Sequence, residues 1–105
     1  MDPTLPSEIV SITAQLIEKY KPEKIILFGS AARGDETPDS DMDFLIIKND
    51  TPYMGRDRII EVSRLIDRNL PADFLVYRRD EFEKRIAMGD PFLEMVVAEG
   101  KVLYG

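Results

Sequence analysis

The sequence has neither cysteine nor histidine among its 105 residues. Without thiols there is no disulfide, no thiolate nucleophile and no sulfur-ligated zinc or iron–sulfur site. Without imidazole there is no Ser-His-Asp triad and no side chain whose ordinary pKa lies near neutrality. Any catalysis therefore falls to carboxylates, hydroxyls, lysine or arginine. Such oxygen-rich chemistry suits hard cations, magnesium, calcium or manganese. Basic charge is also short, 14 Lys and Arg against 20 Asp and Glu, for a net charge of −6. A surface of that sign is repelled by a phosphate backbone, which disfavours DNA or RNA as a direct partner. No apolar run approaches the roughly 20 residues of a membrane span, and the start, Met1-Asp2-Pro3, lacks the basic stretch of a secretory leader. A cytoplasmic protein with no membrane partner is expected.

What is present supports a single folded unit. The chain is 44% hydrophobic, enough for one core, and 32% charged against roughly 25% in an average domain, enough for a well-solvated surface. One domain spanning residues 1–105 is expected. Ile9, Ile12, Leu16, Ile17 and Tyr20 recur at helical spacing between Ser7 and Tyr20, with Pro22 as the stop. Ile25-Ile26-Leu27-Phe28, Phe44-Leu45-Ile46-Ile47 and Phe74-Leu75-Val76-Tyr77 are short apolar runs bounded by turn formers, the pattern of buried strands. Between the last two, the spacing of Ile59, Val62, Ile66 and Leu70 predicts a helix over 56–70, ended by Pro71. Asp80 and Glu83 read as a capping box for a short helix bearing Phe82 and Ile86, with Gly89 just past its end. Asp90-Pro91 then caps and opens a last helix containing Phe92, Val96 and Val97, closed by Gly100, and Val102-Leu103 forms a short terminal strand. The fold class expected is α/β (α+β), a small mixed sheet packed with helices.

The chemistry is concentrated where the first strand ends and the second begins. Gly29 follows Phe28 and precedes Ser30-Ala31-Ala32-Arg33-Gly34, and Ser40-Asp41-Met42-Asp43 opens the second strand. Gly29 has no Cβ, so backbone there can come close to a ligand, and the amides after it start a helical turn, a geometry suited to phosphate. The Ser30 hydroxyl and the Arg33 guanidinium could add bonds to phosphate oxygens. Asp41 and Asp43, two apart on an extended segment, share one strand face with Cα atoms about 6.6 Å apart. Asp73 opens the third strand as Asp43 opens the second, so pairing of those strands would gather three carboxylates. Mutual repulsion would then call for cations between them, and two divalent ions are the known arrangement for phosphoryl and nucleotidyl transfer.

Singly, each feature has an ordinary structural reading. Gly-Ser after a strand is usually a turn, Asp-x-Asp a solvated strand entrance, and Asp73 a loop acid. Arg33 alone reads as a surface charge near Asp35 or Glu36, and Arg78-Arg79 as a solvated helix entrance. Together, Gly-Ser, Asp-x-Asp and a third acid at three successive strands favour a functional site.

At these residues the sequence resembles the polymerase-beta-like nucleotidyltransferase superfamily: Gly29-Ser30, ten residues, Asp41-x-Asp43 between hydrophobic flanks, then Asp73. The string GSAARGDETPDSDMDFLI is similar to its minimal nucleotidyltransferase branch, MntA-like antitoxins paired with HEPN-domain toxins, over nearly the whole chain. The resemblance implies the polymerase-beta-like nucleotidyltransferase fold. It gives Gly29 and Ser30 to ATP, and Asp41, Asp43 and Asp73 to catalysis and to two Mg²⁺ ions; Arg33 and Ser40, beside the cradle, are expected as further nucleotide contacts. Asp73 would also help deprotonate the attacking hydroxyl. The activity implied is transfer of AMP from ATP to a hydroxyl, a tyrosine of a HEPN partner, by the antitoxin of a toxin–antitoxin pair. A binding-only antitoxin with an idle site is the alternative, and small-molecule nucleotidylation is disfavoured by the lack of an acceptor domain. The residues do not specify the base, or whether the assembly is a homo-oligomer or a hetero-oligomer with the toxin.

Overall fold

In a computed structural model of the chain, which describes residues 6–34 and 41–105, the apolar runs become the middle of a sheet. β1 (Lys24–Phe28) pairs antiparallel with β2 (Met42–Ile47), and β2 pairs in parallel with β3 (Ala72–Tyr77). β4 (Lys101–Tyr104) adds antiparallel to the other side of β1, for a strand order β3-β2-β1-β4. The mixed sheet with helices is the fold class expected. β1 and β2 read as unbroken apolar runs because both of their faces are covered. On one face Leu27, Phe44 and Ile46 pack with Ile12 and Leu16 of the first helix and Val62 of the third. On the other, Ile26, Phe28, Leu45 and Ile47 pack with Leu93 and Val96 of the last helix. Among the described residues no helix is long and apolar enough to cross a membrane.

The helices differ from the sequence-based expectation at their ends. α1 is α-helical over Ser7–Gln15 and then widens into a π turn over Leu16–Tyr20, closed by a bond from the Lys21 N–H to the Leu16 carbonyl at 3.0 Å. With that wider turn, Leu16 and Tyr20 are both buried, and the Tyr20 hydroxyl lies 3.4 Å from the Thr51 hydroxyl. A short turn, α2 (Ser30–Arg33), follows β1. α3 covers Gly55–Leu65, not 56–70. Pro71 disfavours helix before it, and side chains of α1 hold the freed backbone: Gln15 Oε1 accepts from the Asp67 N–H and Glu8 Oε1 from the Asn69 N–H, each at 2.7 Å. Ile66 still reaches the core from extended backbone, whereas Leu70 is exposed.

α4 (Arg79–Ala87) starts one residue before Asp80, and its cap is Glu81, whose Oε1 accepts from the Arg78 N–H at 2.9 Å; the Asp80/Glu83 box does not form. The register is set by Arg58, a buried cation on α3 whose Nη1 donates to Glu81 Oε1 at 2.7 Å. Arg58 also donates to the carbonyls of Tyr53 at 2.9 Å, Val76 at 3.2 Å and Pro52. α5 (Pro91–Glu99) begins as expected, with Asp90 Oδ1 accepting from the Phe92 and Leu93 amides at 2.9 and 3.2 Å. Of its apolar residues Leu93 and Val96 are buried, while Phe92 and Val97 lie on the exposed side.

Candidate active site

Three strand ends meet at one end of the sheet. Phe28 is the register partner of Asp43 across β1 and β2, so the chain leaves β1 directly beside the acidic start of β2. At that point Gly29 adopts φ +77°, a conformation costly for any residue with a side chain. A Cβ added there would also lie 2.5 Å from Asp43 Oδ2. Glycine is thus required by the turn, and any side chain there would also push the Asp43 carboxylate out of its present position. The Gly29 carbonyl accepts from the Ala32 and Arg33 amides at 3.1 and 3.2 Å, closing the α2 turn, and buried Ala31 and Ala32 anchor it to the core. The side chain at position 31 points inward, so it is Ser30, half-buried, and exposed Arg33 that face outward from this turn. Arg33 Nη1 lies 4.0 Å from Glu99 Oε2 on α5.

Asp43 faces Asp73 in the parallel ladder of β2 and β3, the pairing that the strand order of the acids foreshadowed. Alternation places Asp43 on the face carrying Leu45 and Ile47, and Asp73 on the face carrying Leu75 and Tyr77, which is the face covered by α4 and α5. Asp41, two residues before Asp43, is exposed at the mouth; Asp73 is exposed and Asp43 half-buried. Burial raises the Asp43 carboxyl above the ordinary carboxylate range, and the negative charges of Asp73 and Asp41 raise it further. Ser40 lies outside the described residues.

The donor set is therefore all oxygen, with like charges turned toward one another. That chemistry fits a hard divalent cation, whose charge would reverse the repulsion felt at Asp43. Among the described residues no group of three or more acids forms a ready-made site for a metal ion. Asp43 and Asp73, joined by Asp41 at the mouth, are the residues that could hold one.

Beside the acids lies a cleft of about 530 Å³, bordered by Phe28, Ile59, Arg68, Leu75 and Phe92. Phe28 and Phe92 meet edge to face, centroids 5.6 Å apart. Arg68 is fixed at the rim by bonds to the Ser63 and Ile66 carbonyls, each 3.3 Å, and by stacking over Phe74. Phe28, Ile59, Leu75 and Phe92 were read from the sequence only as apolar strand and helix positions, and Arg68 not at all; the signal available was the position of Phe28 next to Gly29. A larger groove of about 930 Å³ opens at the opposite end of β2, around Lys48 and Thr51, and holds none of the acids discussed here.

Comparisons with known proteins point to one family. Residues 9–104 match the model of the nucleotidyltransferase domain family. The chain is 38% identical over 84 residues to the Methanocaldococcus jannaschii protein named "Putative protein adenylyltransferase MJ0604", covering 78% of each. It is 34% identical over 55 residues to "Putative protein adenylyltransferase MJ1379" of the same organism, covering 52% of this chain and 55% of that one. The crystal structure of a "putative nucleotidyltransferase" from Sulfolobus solfataricus superposes with a TM-score of 0.52 at 30% identity, over 74% of this chain and 76% of the other. With the family model matched from the first helix to the last strand, the chain belongs to the nucleotidyltransferase domain family.

Proposed function

We propose that the protein is a magnesium-dependent nucleotidyltransferase that moves AMP from ATP to a hydroxyl of a partner protein. The observation that carries this reading is the facing of Asp43 and Asp73 across the β2–β3 ladder with Gly29 packed against Asp43. The Gly29-Ser30 turn binds the triphosphate tail, and Arg33 adds positive charge at its exposed side. Asp41, Asp43 and Asp73 would hold Mg²⁺, which when bound supplies charge to offset the phosphates. Asp73 accepts the proton of the acceptor hydroxyl, whose oxygen bonds to the α-phosphorus as the bond to pyrophosphate breaks. With no histidine in the chain, a carboxylate is the base that the sequence makes available.

A protein acceptor is supported by the names of the two archaeal relatives and by the negative net charge, which opposes a nucleic-acid acceptor. The likeness of GSAARGDETPDSDMDFLI to MntA-like antitoxins extends the reading: a HEPN toxin as partner, a tyrosine as target, and a cytoplasmic toxin–antitoxin pair as setting. A binding-only antitoxin with an idle site is the second reading; among the described residues no group of three acids forms a ready-made metal site.

The test is to mix the protein, or its Asp41→Asn variant, with the product of its genomic neighbour, MgATP labelled in the α-phosphate, and an RNA substrate. Labelled neighbour with lost ribonuclease activity, seen with wild type alone, supports the enzyme. Equal neutralisation by both proteins without label selects the binding-only antitoxin.

A further inference from the structure

The cleft beside the acids does not end at the acids. It continues along the outer edge of β3 into a second hollow of about 250 Å³, bordered by Tyr53, Tyr77, Glu81 and Arg85. Ile59 and Leu75 border both hollows, so the two adjoin as a groove along β3. Its floor is a sheet edge, because β3 is the terminal strand of the order β3-β2-β1-β4.

The hydrogen-bond pattern shows which backbone groups that edge offers. The Met42 amide bonds the Pro71 carbonyl at 3.2 Å and the Lys48 amide bonds the Tyr77 carbonyl at 2.9 Å. In a parallel ladder alternate residues bond the same neighbour, so 71, 73, 75 and 77 turn to β2 and 72, 74 and 76 turn outward. The Val76 carbonyl is already taken by Arg58 Nη1 at 3.2 Å. Ala72 and Phe74 remain, with no strand beside them among the described residues. The open part of the edge is therefore the part next to Asp73.

We propose that the acceptor protein is held as an extended segment laid along this groove, pairing with the outer edge of β3 at Ala72 and Phe74 and presenting its hydroxyl residue at the Asp73 end. This rests on the proposed transfer to a protein. An extended chain is the occupant that fits, because only extended backbone supplies donors and acceptors at strand spacing to an open edge. Asp73 to Tyr77 spans about 13 Å at roughly 3.3 Å per residue, the reach of about five residues. Partly exposed Leu75 and exposed Ile59 offer apolar contact to alternate side chains along that length. The groove is continuous with the candidate site, so a segment in this register brings its end residue to the carboxylate that needs it. A folded surface docking elsewhere would leave the edge unpaired.

The probe is a mixture of synthetic ten-residue peptides with a central tyrosine, serine or threonine and random flanks, incubated with MgATP labelled in the α-phosphate. Two variants act on the edge and groove, at residues given neither to ATP nor to metal or transfer, though they line the cleft with Asp43 and Asp73. Ala72→Pro removes an outward N–H without touching the β2 ladder, and Ile59→Glu puts charge in the groove at a position already 38% exposed. Loss of one edge bond corresponds to about tenfold in binding. Both variants are expected to label peptides at least about tenfold more slowly than wild type while binding MgATP equally in calorimetry. Amide exchange of Ala72 and Phe74 in the wild type should slow when peptide is added. Labelling at the wild-type rate in both variants overturns edge docking and leaves the transfer reading standing. If wild type labels an intact protein partner but no peptide, and the two amides gain no protection, segment docking is likewise overturned. If neither protein nor peptide is labelled, the transfer reading fails, and peptide-induced protection of the two amides alone then decides for or against the docking edge.

Discussion

Gly29 and Asp43 are packed so closely that a Cβ on Gly29 would stand 2.5 Å from Asp43 Oδ2 and the carboxylate would have to shift. The glycine and the aspartate of the signature, separated by thirteen residues in sequence, are one steric unit in the fold. Gly29→Ala is therefore expected to lower stability by about 1–3 kcal/mol, combining the left-handed backbone with the clash. In an Asp43→Ala background the same change should cost less, because the collision partner is gone. Urea unfolding of the four proteins of this cycle checks it; equal costs in both backgrounds would refute the contact.

Asp43→Asn should separate stability from function. The Asp43 carboxyl is raised in the folded state by burial and by Asp73 and Asp41, so its ionisation opposes folding. Its share of stability is full below the unfolded carboxylate range and is lost as pH rises through the raised folded value. Without metal, the wild type should melt higher at mildly acidic pH than the loss of its other carboxylates alone allows, and Asp43→Asn should remove that component. Magnesium should raise the wild-type melting temperature and leave that of Asp43→Asn nearly unchanged, as expected for a ligand that binds the folded state through this carboxylate.

Arg58 ties three segments together and has no exposed face to fall back on. Arg58→Met leaves the carbonyls of Tyr53, Pro52 and Val76 without their donor, and is expected to lose about 3 kcal/mol in urea unfolding. Its partner Glu81 is held below the ordinary carboxylate range, chiefly by the side-chain bond from Arg58. That contribution is present above the unfolded carboxylate pKa and lost as pH falls through the lowered folded value. Glu81→Gln should therefore flatten the acid limb of the stability curve.

The parts of the fold visible in the sequence were those governed by local pattern. Apolar runs such as Phe44-Leu45-Ile46-Ile47 can lie only between two covered faces, and Asp90-Pro91 caps a helix through atoms two and three residues away. The meeting of Asp43 with Asp73 was legible as what adjacent pairing of their strands would bring; that the pairing is parallel, and that Asp41 stays exposed, was not. What was missed depends on distant groups. The end of α3 is decided by Gln15 and Glu8, more than fifty residues earlier, and the start of α4 by a buried arginine that composition marks as a surface residue. The aromatic wall of the cleft, Phe28 against Phe92, joins residues that no short motif connects.

In the proposed transfer Asp73, across the ladder from Asp43, is the base, so its loss is expected to cost the rate of transfer more than nucleotide affinity. The most direct measurement is the single-turnover rate of AMP transfer to the protein acceptor by wild type and Asp73→Asn, each at saturating MgATP. A loss of at least about a hundredfold in that rate is expected, the range associated with removing a general base. Transfer by Asp73→Asn at the wild-type rate would contradict it.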